Sequence, residues 1–139
     1  MTSDSDLAAA VDGLVHEGTQ VHDGRVDLTV AEVYVVELPG RVDFGGDELE
    51  PAATTAHETS ERNPDDDYEW WSLDGGRYLV EYNETLTGTA VLQARAELLE
   101  RGASHPTRVV DGLPRMPLAV SDGGLRLKEN ARVSTLVPR

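Results

Sequence analysis

A chain of 139 residues can enclose one hydrophobic core but not two comfortable ones, so a single domain over 1–139 is expected. It carries 26 Asp and Glu against 12 Lys and Arg, a formal charge of −14, which repels nucleic acid and anionic membrane and argues against both as partners. There is no cysteine, which excludes a disulfide framework and a cysteine nucleophile. No apolar run approaches membrane-spanning length, and acids stand in 1–6 where a signal peptide would carry Lys or Arg; these point to the cytoplasm.

Along the chain, Leu7, Val11, Leu14 and Val15 recur at helical spacing. They predict an amphipathic helix over 5–17, opened by Ser3 or Ser5 and closed by Gly18. The texture then changes. Val26-Asp27-Leu28-Thr29-Val30 alternates as a strand, and Glu32 to Leu38 is a second β-rich run stopped by Pro39-Gly40. Residues 47–68 hold eight acids, two prolines and almost no large apolar side chain. Such a stretch buries too little to offset its ordering entropy, so a long solvated loop is expected. Arg77 to Tyr82 and Thr87 to Leu92 read as strands. Ala94 to Glu100 has the composition of one or two helical turns closed by Gly102. Arg108-Val109-Val110, Met116 to Val120 and Ala131 to Val137 are short strands set off by Asp- and Gly-rich turns. Many short strands with one N-terminal and one short internal helix predict a mostly β, distorted jelly-roll fold.

The acids are spread along the whole chain rather than gathered into a tail, and eleven of the twelve cations are Arg, with Lys128 the single lysine. This distribution fits a protein of a salt-rich, halophilic interior, where a Debye length of about 3 Å at 1 M screens the self-repulsion.

The sequence offers no metal-ligand pattern. The four His residues are scattered, and Asp65-Asp66-Asp67 lacks the spacing of a calcium loop, so it reads as a solvated charge run. Ser104-His105 is not a nucleophile and its base, because neighbours on a strand point to opposite faces. One series does carry chemistry: Asp27 in a strand, Arg95 at the start of a helical turn, and Asp111 where a strand turns. A guanidinium neutralises phosphate, while carboxylates activate water or orient the group that does. Taken alone, Asp111-Gly112 is equally a common turn pair.

These segments resemble the trimeric dUTPase and dCTP deaminase superfamily in its archaeal form. Val26 to Val30 is similar to the first motif of that family, and Gly76 to Thr85 to its central strand and turn. Arg95-Ala96-Glu97-Leu98-Leu99 stands where the family has Arg-Ser-Ser-Leu, Val109 to Gly112 resembles the third motif, and Ala131 to Val137 the closing strand. The resemblance implies a dUTPase-like jelly-roll (β-clip) assembled as a homotrimer, with deoxynucleoside triphosphate sites at subunit boundaries. It implies hydrolysis of dUTP to dUMP and pyrophosphate, with Mg²⁺ on the triphosphate. Asp111 and Asp27 would be catalytic, and Arg95 and Arg132 would bind phosphate.

The chain departs from that pattern at Ala96 and Glu97, which replace two serines, and at Thr135, which replaces a closing glutamine. Deaminases place a Glu on the strand after the third motif; here that strand reads Met116-Pro117-Leu118-Ala119-Val120, with no Glu from Ala103 to Lys128. Deamination of dCTP is therefore disfavoured. The alternative to hydrolysis is a degenerate homologue that keeps the fold and binds a nucleotide or a protein partner.

Overall fold

A computed structural model describes residues 4–139. In chain order the elements are α1 (Asp4–Ala9), β1 (Val11–Asp12), α2 (Glu17–Gln20), β2 (Val21–His22), β3 (Arg25–Leu38), β4 (Ala53–Ala56), β5 (Trp70–Leu73) and β6 (Gly76–Tyr82). There follow β7 (Thr85–Leu86), β8 (Thr89–Ala94), α3 (Ala96–Glu100), β9 (Ala103–Ser104), β10 (Arg108–Asp111), β11 (Met116–Val120), β12 (Leu125–Lys128) and β13 (Arg132–Val137). Mostly β architecture is thus what forms, with α1 and α3 as the two expected helices and α2 as a further single turn.

The main sheet runs β10-β8-β13-β3-β6-β11-β9, with β2 and β4 also on β3. Every pairing is antiparallel. The two expected strands at 26–38 are one long strand, β3. It shifts register between Val30 and Glu32 as it leaves β13 for β6, so one strand serves both halves of a curled sheet. Val26, Leu28, Val30, Leu92, Leu136, Met116 and Trp71 are all buried in one apolar cluster. Each full burial of such a side chain is worth about 1.5–3 kcal/mol. No helix among the described residues is long and apolar enough to cross a membrane.

Three expectations change. The helix predicted over 5–17 ends at Ala9, because Val11 pairs with Leu86 and Gly13 turns the chain at φ 83°. A Cβ at Gly13 would lie 2.9 Å from the Asn83 carbonyl oxygen, so the turn is built for glycine. Leu7 and Val11 are both buried, which mimics helical periodicity from two different elements. Of the two expected caps, Ser3 lies outside the described residues and Ser5 falls within α1. Second, the acidic segment 47–68 is not loop throughout: Ala53–Ala56 pairs with β3 through Tyr34↔Ala56 and Val35↔Thr55. Its Thr and Ala side chains suit a short edge strand that composition alone hides. Third, Leu125–Lys128 pairs with β5 and was not expected as a strand.

Candidate functional site

β3 is buried on both faces from Val26 to Val30, and this places Asp27 at 0% exposure. A buried carboxylate persists only where charge and hydrogen bonds meet it. Here they do. The Thr135 hydroxyl donates to Oδ1 at 3.0 Å, and Arg132 Nη1 donates to Oδ2 at 3.1 Å. Arg25 Nε lies 3.5 Å and Arg95 Nε 3.7 Å from Oδ1, and His22 Nε2 lies 3.3 Å from Oδ2. The register explains the convergence: Thr135 sits opposite Asp27 on one side and Gln93 on the other, so β13 carries the carboxylate's partners between β3 and the end of β8. Arg95 also donates from Nη1 to the Arg132 carbonyl at 3.3 Å and pairs through Nη2 with Glu97 at 3.1 Å. Three guanidiniums thus face two carboxylates, a local cationic excess in a strongly acidic chain, and the arrangement can hold an anion such as phosphate.

A second buried network fixes this strand. Gln20 donates from Nε2 to the Asp27 carbonyl at 2.9 Å and to Glu84 Oε2 at 2.8 Å. Its Oε1 accepts from the Val15 and His16 amides, both at 2.8 Å. Glu84 accepts from the Thr29 amide at 2.9 Å and from the Thr29 hydroxyl. Every polar atom of the Gln20 carboxamide is engaged, and α2 is thereby tied to the backbone on either side of Asp27.

Asp111 stands elsewhere. It ends β10, is exposed, and pairs with Thr89, the first residue of β8. Arg95 follows the last residue of that six-residue strand, so roughly 20 Å of strand separates the two backbone positions in one chain. Gly112, at φ 78°, donates its amide to the Gly88 carbonyl at 3.0 Å and turns the chain just after Asp111. The loop is then anchored by Arg115, whose guanidinium lies 3.7 Å from the centroid of the Tyr34 ring and 3.8 Å from Glu81 Oε1. Tyr34 donates its hydroxyl to Glu81 Oε2 at 2.8 Å, and that hydrogen bond is the chief cause of its raised pKa.

On β11, Ala119 lies between Arg77 of β6 and Ser104 of β9. A cavity of about 340 Å³ opens there, lined by Arg77, Ser104, His105, Pro117 and Ala119 among others. His105 is buried while Ser104 is exposed, so the two do point apart. Burial lowers the His105 pKa and keeps the ring neutral. Nδ1 donates to the Pro106 carbonyl at 2.9 Å, which leaves Nε2 to accept from the Ser134 hydroxyl at 2.7 Å. Tyr82 in turn donates to Ser134 at 2.6 Å, its own pKa pushed up to about 12 by burial.

Of the residues expected from sequence, Asp27, Arg95 and Arg132 converge, and Asp111 does not join them within one chain. Arg25 and His22 were missed, although Arg25 stands two residues from Asp27 and therefore shares its face of the strand. Among the described residues no three His, Cys, Asp or Glu side chains gather to hold a metal ion.

No protein-family model matches the chain. It is 31% identical over 128 residues to a probable deoxyuridine 5'-triphosphate nucleotidohydrolase of Methanosarcina acetivorans, covering 86% of this chain and 71% of that protein. A protein of the same description from Methanococcoides burtonii is 30% identical over 136 residues, covering 91% of this chain and 76% of its own. Among solved structures, a 2'-deoxycytidine 5'-triphosphate deaminase from Agrobacterium tumefaciens superposes with a TM-score of 0.58 at 13% identity. That match covers 92% of this chain and 42% of the neighbour, and it shows a shared fold.

Proposed function

The chain belongs to the dUTPase and dCTP deaminase superfamily, and from that premise we propose that it hydrolyses dUTP to dUMP and pyrophosphate. The observation that carries this reading is the cluster of Arg25, Arg95 and Arg132 around the buried Asp27 carboxylate. Arg95 and Arg132 hold phosphate oxygens, and Asp27 keeps the guanidiniums aimed and charged. Asp111, exposed at the end of β10, takes a proton from a water. As it does so, that oxygen bonds to the α-phosphorus, and the bond from the α-phosphorus to the bridging oxygen of the leaving pyrophosphate breaks.

Because Asp111 and Arg95 lie at opposite ends of β8, the complete site takes Asp111 from one copy and Arg95 from another. A cyclic homotrimer supplies that geometry with closed symmetry. Among the described residues no carboxylate cage gathers, and Mg²⁺ would arrive as a companion of the triphosphate and withdraw charge from the phosphate oxygens. We read 1–139 as one domain acting in the cytoplasm of a cell that holds concentrated salt.

A second reading has its own observation. Glu97 pairs with Arg95 at 3.1 Å, engaging a guanidinium edge that would otherwise meet phosphate, which favours a homologue that binds nucleotide without turnover. Deamination has less support. β11 carries Ala119, and both ring nitrogens of His105, the nearby ionisable group, are engaged. Pyrophosphate release measured across the deoxynucleoside triphosphates, with Mg²⁺ in molar KCl, separates the readings. Release from dUTP above the others supports hydrolysis. Binding without release from any of them supports the degenerate homologue.

A further inference from the structure

We propose that the hairpin leading from β3, residues 39–50, is a docking arm for a second copy of this chain. Five of the large apolar side chains left in water lie on it or on the strand end that feeds it. Phe44, the chain's single phenylalanine, is wholly exposed, Val42 is 91% exposed, and Leu38, Leu49 and Val36 are also exposed. The arm is nevertheless built rather than slack. Arg41 and Glu50 exchange backbone hydrogen bonds at 2.8 and 3.0 Å and form an ion pair at 2.9 Å. Asp43 accepts from the Gly46 and Glu48 amides at 2.9 and 2.8 Å, which sets the turn beneath Phe44. A preformed hairpin with an apolar tip gains affinity because little ordering remains to be lost on contact.

The occupant follows from area and the split site, while charge excludes polyanions. Asp43, Asp47, Glu48 and Glu50 rim the tip, and the whole chain is acidic, so nucleic acid and anionic lipid are repelled. The five side chains offer on the order of 600 Å² of apolar surface, most of the roughly 800 Å² that each partner of a specific interface contributes. A second copy is the partner already required by the separation of Asp111 from Arg95; in this the inference rests on the reading of a shared site. Salt strengthens such a contact, since it screens acid against acid while apolar burial remains.

The test uses the full chain in molar KCl. Light scattering is read for wild type and for the double variant Val42→Ser/Phe44→Ser, with a photo-crosslinking phenylalanine placed at position 44 in a separate preparation. The wild type is expected to be oligomeric, the double variant at least tenfold weaker in self-association, and the crosslink to join two copies of the chain. Neither replacement removes packing within the chain, so circular dichroism should be unchanged. A double variant with the wild-type oligomeric state overturns the arm and leaves the shared site standing. A monomeric variant that hydrolyses dUTP at the wild-type rate supports the arm and overturns the shared site. A wild type that is monomeric, or that binds neutral phosphatidylcholine vesicles through Phe44, overturns the arm.

Discussion

Arg132 Nη1 lies 3.1 Å from Oδ2 of Asp27, joining the closing strand to a carboxylate that has no exposure to water. On the proposed reading Asp27 has two duties, holding β13 against β3 and keeping the guanidiniums that would meet phosphate in place. Asp27→Asn keeps the shape but removes the charge. It should cost about 3 kcal/mol of stability, the lower end for breaking a buried pair because Arg25 and Arg132 retain water. Chemical denaturation checks this, and an unchanged midpoint would show that the cluster is held by packing alone.

On the proposed reading Glu97 competes with phosphate for Arg95. It is half exposed and pairs with Nη2 at 3.1 Å, so removing its charge leaves the fold alone and frees the guanidinium. Glu97→Gln should lower the KM for dUTP about three- to tenfold with kcat little changed, the pattern of uniform ground-state binding. Steady-state kinetics reads both constants. A raised KM would mean that Glu97 aims Arg95 rather than blocking it.

His105 makes stability depend on pH. Burial lowers its pKa below the ordinary 6.5, so between the folded and unfolded values the unfolded chain binds the extra proton. Stability from this group is present above about pH 6.5 and is lost as pH falls toward the folded pKa. The melting temperature of wild type should drop between pH 7 and pH 5 more steeply than that of His105→Asn. Parallel slopes would remove His105 as the cause.

The net charge of −14 opposes compactness wherever it is unscreened. The melting temperature should be higher in molar KCl than in dilute buffer, because a Debye length of about 3 Å isolates neighbouring acids. A flat or falling trend would detach the acidic composition from salt.

Much of this was legible in the sequence, for identifiable reasons. The strands β6 and β11 alternate in burial and are flanked by Gly, Pro and Asp, so local pattern and tertiary demand agree. The N-terminal helix was overextended because Leu7 and Val11 pack into one core from a helix and a strand. β4 was hidden by acidic neighbours, since an edge strand needs little apolar area once β3 supplies its ladder. At the site, Asp27, Arg95 and Arg132 could be named, but their meeting depends on the Thr135↔Asp27 and Thr135↔Gln93 register. The Gln20–Glu84–Thr29 network spans 64 residues of sequence, and no local spacing announces it.

The proposed chemistry stands or falls on Asp111, which the fold leaves exposed at the end of β10, just before a turn that Gly112 already makes. The deciding measurement is pyrophosphate release from dUTP, with Mg²⁺ in molar KCl, for wild type and Asp111→Asn, alongside nucleotide binding and circular dichroism. The account predicts an intact fold, retained binding and turnover lowered about 100-fold or more, as expected when a positioned base loses its charge. Equal and measurable rates in the two proteins would make Asp111 a turn residue and contradict the site.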